Sequence, residues 1–418
     1  MVKITQVGRD YRFLFENEQV TIEVSQLHQG RDNYIRGEVL VKSLELGYQR
    51  HLHQAQFSFS STRARKELVK TLDDLLQADW KSIIERLCLD VLRLFREGEP
   101  VIELMPEDAI PPKFIVEPLL IENYPTVLFG DPSAGKSLFA VVLAITIILP
   151  WADNPIFLEA PEASHRVLYL DYETDKETVS WQLKRILQGM KLPAVSLLYR
   201  PCFLPLSRDL EAIRSKVVSN EVDTIIVDSL GMASGGDLMK PEPATEFYSA
   251  LRSLGCTSLI LAHTAKNPEN PKKRSVFGSI YFEIPARIIW ELVKFQEAGE
   301  EEINIALYNR KPPPFHKLSL PLGFKLHFTN TEIKVDYCDP RTTTEFLERM
   351  TTQVRILESL KSGPLSAREI MEQLDLSRNT CDQSLKRLKD KGKIVKVGDK
   401  WGLVARRESS EAIPLLKI

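Results

Sequence analysis

Alternating apolar and polar positions open the chain. Tyr11 to Phe15, Gln19 to Val24, Tyr34 to Val41 and Gln54 to Phe59 repeat with the period of half-buried strands, and Ala64 to Leu76 and Trp80 to Phe95 carry helical spacing. Together they predict a small α+β domain over residues 1–112, whose role the pattern does not disclose. Gly98 to Lys113, with Pro100, Pro106, Pro111 and Pro112 among acidic residues, reads as a linker. Beyond it the texture changes to short apolar runs separated by longer amphipathic segments: Thr126 to Phe129, Arg166 to Leu170, Thr224 to Val227, Ser258 to Ala262, Ala286 to Leu292 and Ile303 to Tyr308. That alternation predicts a mostly parallel sheet flanked by helices, an α/β core over residues 113–342. Residues 343–418 return to helical spacing, in Thr351 to Leu360, Ser366 to Leu374 and Ser377 to Asp390, and then to a hairpin pattern from Gly392 to Val404. Three helices and a hairpin predict a winged helix-turn-helix domain.

At 418 residues the chain is long enough for two or three cores. Its net charge of -2 gives no global attraction to a polyanion, so a nucleic-acid surface has to be local. The C-terminal module supplies one in Arg378, Lys386, Arg387, Lys389, Lys391 and Lys393. Winged helices also dock proteins, so both uses stay open. The five cysteines are scattered, with no C-x-x-C pair and no His at metal-ligand spacing, so neither a disulfide framework nor a zinc site is suggested, which fits a reducing, cytoplasmic setting. His51 and His53 lack a third partner and read as surface residues. No apolar stretch of signal-peptide type opens the chain. The most hydrophobic segment, Phe139 to Leu149, is too short to span a bilayer and is expected to be a buried helix; no membrane partner is expected.

The sharpest chemistry follows the run Pro125 to Phe129. Gly130, Asp131, Pro132, Ser133, Ala134, Gly135, Lys136 and Ser137 spell G-x-x-x-x-G-K-S between a strand and a helix that begins with Lys136 and Leu138. Successive N–H groups of such a loop point at phosphates, Lys136 reaches the β and γ phosphates, and the Ser137 hydroxyl can ligate Mg²⁺. The helix aims its positive end at the same anion. The expected cofactors are therefore ATP and Mg²⁺.

Three later strand ends complete the set. Thr224 to Val227 is followed by Asp228, placed to hold the Mg²⁺ beside the loop. Arg166 to Leu170 ends in Asp171, Tyr172 and Glu173, where Glu173 is the candidate general base for an attacking water, with Asp171 behind it. Thr257 to Ala262 ends in His263, at the position of a γ-phosphate sensor, and the loop from Asn267 to Gly278 carries Lys272, Lys273 and Arg274, suited to a phosphate backbone.

This series of strands resembles the RecA-like ATPases, and within them the RepA-like branch of hexameric replicative helicases, over roughly residues 114–340. The resemblance implies that Lys136 and Ser137 are the phosphate lysine and magnesium hydroxyl, Asp228 the magnesium acid, Glu173 the catalytic glutamate and His263 the sensor. It also implies a homo-oligomer, a hexameric ring around single-stranded DNA, in which a neighbouring subunit inserts an arginine into each ATP site. Arg287 matches the finger position of the RepA-like proteins. Arg310 resembles the arginine of the Lys-x-Arg finger of DnaB-type helicases, although Tyr308 stands where that lysine belongs. The function expected is an ATP-dependent DNA motor, a replicative helicase. Two alternatives remain: a recombinase-like DNA-dependent ATPase, and an ATP-gated regulator or defence component.

Overall fold

The structure is a computed structural model; it describes all residues except 1, 8–9, 31, 45–49, 99–100, 107–108, 266–273, 297–298, 317–319, 343 and 405–418. Two compact units emerge, Met1–Pro111 with Arg252–Gly255, and Pro112–Leu251 with Cys256–Ile418.

In the first unit β1 (Val2–Val7), β2 (Asp10–Phe15), β3 (Val20–Gln29), β4 (Ile35–Ser43) and β5 (Arg50–Ser58) form an antiparallel sheet in chain order, followed by α1 (Thr62–Asp73) and α2 (Trp80–Glu97). Period-two burial along β4 and the buried Trp80, Ile83, Ile84 and Leu87 of α2 build one apolar core between sheet and helices. Each helix starts at a residue whose side chain accepts an N–H from its first turn, Ser61 for α1 and Asp79 for α2. β1 is an addition to the expected strands: Val2 and Ile4 alternate with Lys3 and Thr5 and pack against the core, in register with β2.

The second unit opens with a short hairpin, β6 (Phe114–Val116) and β7 (Leu120–Ile121), and then β8 (Pro125–Gly130), α3 (Lys136–Ile148), β9 (Val167–Asp171), α4 (Lys176–Gly189), β10 (Leu198–Pro201) and α5 (Leu210–Ser219). β11 (Thr224–Asp228), α6 (Leu230–Ser234), α7 (Pro241–Leu254), β12 (Thr257–His263), β13 (Ile288–Phe295), β14 (Glu302–Lys311), β15 (Leu322–Phe328) and β16 (Ile333–Cys338) follow. The strand order is β10-β9-β11-β12-β8-β13-β14-β15-β16. The run from β10 to β13 is parallel, and β14, β15 and β16 continue it antiparallel. β10, β15 and β16 are additions to the expected strands.

Register places the chemistry. Asp228 lies opposite Asp171 on one side and Leu261 on the other, and Gly130 lies between His263 and Leu292. The ends of β9, β11, β12 and β8 therefore share one rim, the crevice at which open α/β sheets bind ligands. Eleven of the thirteen residues of α3 are buried, so its uniform hydrophobicity reflects a helix enclosed by the core. Among the described residues no helix is long and apolar enough to cross a membrane.

At the C-terminal end α8 (Thr344–Leu347) leads into α9 (Thr352–Ser359), β17 (Leu365–Ser366), α10 (Ala367–Leu374), α11 (Arg378–Asp390), β18 (Ile394–Val397) and β19 (Lys400–Leu403). α10 has a full capping box, Ser366 with Glu369, and Ser377 caps α11. Ile356, Ile370, Leu374, Cys381, Leu385 and Ile394 pack as the core of this winged helix, with β17, β19 and β18 as its small sheet.

Candidate functional site

The loop after β8 is shaped by what surrounds it. A side chain at Gly130 would place its Cβ 2.5 Å from the Leu292 carbonyl oxygen, and Gly135 takes a φ of +95° at the start of α3. Both glycines are thus fixed, the first by the strand behind it and the second by its backbone conformation. Lys136 is buried; its ammonium donates to the carbonyl oxygens of Gly130 at 3.1 Å and Asp131 at 2.9 Å. Burial pulls its pKa down, while the charges of Asp228, Glu173 and Asp131 push it up. A desolvated cation at a helix N-terminus inside a glycine loop is suited to a polyphosphate.

Asp228, also buried, accepts a 2.5 Å hydrogen bond from the Tyr169 hydroxyl and another from Ser137. Burial raises its pKa, and these two donors hold the rise back. Ser137 and Asp228 form a hard oxygen pair next to the loop, which fits a phosphate-bound Mg²⁺. Tyr169 is a site residue that the pattern missed: it sits within an apolar strand, and only the pairing of β9 with β11 brings its hydroxyl to Asp228.

The acids after β9 separate by role. Asp171 accepts the N–H groups of Glu173 and Thr174 and the hydroxyls of Thr174 and Tyr199, so its oxygens are spent on the turn. Asp175 caps α4 by accepting the Thr178 N–H. Glu173 keeps its carboxylate half exposed, with Oε1 3.4 Å from His263 Nε2. Of the three, Glu173 is the one available to a water, and it is coupled to the histidine on the next rim position.

Arg274, expected to face nucleic acid, sits on the phosphate loop: Nη1 donates to Asp131 Oδ2 at 2.7 Å and Nε stands 3.6 Å from Glu291 Oε1. Lys272 and Lys273 lie outside the described residues. Glu291 is fully buried and also takes Arg310, through Nε at 2.8 Å and through Nη2, and Arg349 at 3.8 Å. This cluster had no signal in the sequence, since Glu291 lies in the middle of an apolar strand. Tyr308 is buried with its hydroxyl on the Phe346 carbonyl at 2.7 Å.

Arg287 stands elsewhere. It precedes β13 at the end paired with the beginning of β8, its N–H bonding the Pro125 carbonyl, and its exposed guanidinium lies over the Tyr124 ring. The length of β8 separates it from the loop of its own chain. Arg378, Lys386 and Arg387 are all exposed on α11.

Residues 101–269 match the AAA domain family, and residues 351–395 match a family described as bacterial regulatory protein, arsR family. No curated protein matches the chain. Among solved structures it is similar to a KaiC-like protein from the hyperthermophilic archaeon Pyrococcus horikoshii, at 16% identity, over 53% of this chain and 93% of that one, with a TM-score of 0.35. The sheet order and the glycine loop place the AAA-domain match on a mostly parallel, RecA-like α/β sheet with a P-loop, and the arsR-family match falls on the winged helix that follows it.

Proposed function

We propose that this chain is an ATP-driven, ring-forming DNA motor of the replicative-helicase kind. The observation that carries the reading is a division of the site between two ends of one sheet. Lys136, Ser137, Asp228 and the Glu173–His263 pair gather at one rim, while Arg287 is exposed at the opposite end of the strands and cannot serve its own loop. Arg310 is less suited to act in trans, being held by the buried Glu291 of its own chain. In this reading ATP binds with Mg²⁺, Glu173 orients the attacking water, His263 senses the γ phosphate, and a neighbour's Arg287 stabilises the charge of the transferring phosphoryl group.

Two loops at the same rim support a stepping role. The Ser279 N–H bonds the Leu238 carbonyl, Gly278 leaves no room for a side chain against that oxygen, and Met239, Phe277 and Tyr281 are exposed on them. Motion of His263 would pass directly into the segment that follows it.

The tests are strand displacement on a forked DNA and a mixing experiment. Lys136→Ala and Arg287→Ala chains, each inactive alone, should regain ATP hydrolysis when mixed, because one interface then has both residues. No recovery on mixing would remove Arg287 from the role, and ATP hydrolysis without strand displacement would remove the helicase.

A second reading is an ATP-gated DNA-binding regulator. It is favoured by the ArsR-type match and by the basic exposed face of α11. A sequence-specific footprint that depends on Arg378, Lys386 and Arg387 would select it over the motor.

A further inference from the structure

On the face of β13 turned away from α3, a cavity of about 980 Å³ lies between the sheet, the segment from Phe346 to Thr351 and the winged helix. Trp290 and Leu292 point into the core with α3, whereas Val293 packs with Tyr308 and Phe346 on the other side. The cavity is therefore built on the surface opposite the helix that follows the phosphate loop.

Its wall is cationic. Arg274, Lys294, Arg310, Arg349 and Arg355 line it, against the carboxylates of Glu348 and Asp375. Beneath three of these arginines lies Glu291, whose Oε2 is taken by Arg310 and whose Oε1 has no hydrogen-bond partner, with Arg274 at 3.6 Å and Arg349 at 3.8 Å. Three guanidinium groups converge on one buried carboxylate, and among the described residues no carboxylate pairs with Lys294 or Arg355. With Asp131 on Arg274, five cations face four carboxylates, and the surplus, together with the two cations left without an ion pair in a half-enclosed space, favours an anion. Phe295, half-buried, adds an apolar side, with Phe346 packed behind it. Arginines opposite an aromatic ring match a phosphate on a flat organic body, and the volume lies within the range of small-molecule pockets.

We propose that this cavity is a second ligand site, separate from the phosphate loop, for an organic phosphate of nucleotide size. The proposal goes beyond the motor reading and does not depend on it. Arg274 ties the cavity to Asp131 in the loop, Arg349 lies in the turn between α8 and α9, and Arg355 belongs to α9. An occupant that draws these arginines together would act at once on the ATP site and on the seating of the winged helix.

The test is a titration of the full-length chain with N-methylanthraniloyl-ADP, counting sites. Wild type should bind two per chain, Lys136→Ala should keep the cavity site, and the pair Lys294→Glu with Arg349→Gln should keep only the loop site. Lys294→Glu alone, at a half-buried position with no ion pair among the described residues, guards against misfolding and should weaken the second site at least tenfold. One site in wild type, or a second site untouched by Lys294→Glu, overturns the proposal. Displacement of the second nucleotide by a single-stranded oligonucleotide would also overturn it, in favour of a nucleic-acid groove. If Lys136→Ala left both sites intact, the reading of the loop would fail while the cavity stood.

Discussion

Replacing Tyr169 by Phe removes one hydroxyl and leaves the ring, so it isolates the bond to Asp228 from any change in packing. The hydroxyl lies 2.5 Å from Asp228 Oδ2, both residues are buried, and Ser137 is the other donor named at that carboxylate. A hydrogen bond to a charged group contributes about 1.5–3 kcal/mol. Losing it stabilises the protonated acid relative to the carboxylate, so a pKa already raised by burial rises further. The sign follows from linkage: the folded state then holds a proton that the unfolded state has released, and the deficit of the variant is full at neutral pH and shrinks on acidification through the folded-state pKa. Two measurements check this. Hydrogen exchange in β9 and β11 should quicken about 10- to 150-fold at pH 8 and much less at pH 5. The acid limb of Mg²⁺-dependent ADP binding should move to higher pH. Equal exchange in both proteins, or an acid limb that does not move, would refute the assignment of Tyr169 as the donor that keeps Asp228 ionised.

Other outcomes follow from the same geometry. Glu173→Gln should bind Mg²⁺-ATP normally and lose about 10²- to 10⁴-fold in single-turnover hydrolysis, the usual contribution of a general base, whereas Asp171→Asn should also loosen the turn and weaken binding. Gly130→Ala drives a methyl into the Leu292 carbonyl, a backbone atom, and should cost about 1–3 kcal/mol in thermal unfolding of the core together with loss of nucleotide binding. Arg310→Ala strips the hydrogen-bonded partner from buried Glu291 but leaves Arg274 and Arg349 beside it, and should destabilise the core by about 1.5–3 kcal/mol, so its loss of activity would not by itself identify a finger. All five cysteines are thiols, and burial pushes Cys88 up to about 12 and Cys256 and Cys338 up to about 11; a thiol reagent at pH 8 should label the native chain slowly and react fully after denaturation.

The sequence by itself determined what is local. A glycine loop between an apolar strand and a helix, an acid closing an apolar strand, and capping residues before helices need only neighbours along the chain, and they were legible as the phosphate loop, Asp228 and the starts of α10 and α11. The mostly parallel sheet was legible too, because buried strands alternating with helices leave few other packings. Tertiary structure decided whatever depends on partners distant in sequence. It paired β9 with β11 to bring Tyr169 onto Asp228, and divided three clustered acids into a turn, a cap and a free carboxylate facing His263. It also set Arg274 against Asp131 of the loop, and Arg310 against Glu291. β15 and β16 joined the sheet edge with no pattern of their own strong enough to announce them. A charged side chain in a sequence carries its chemistry but not its partner, and at a sheet rim the register of neighbouring strands chooses the partner.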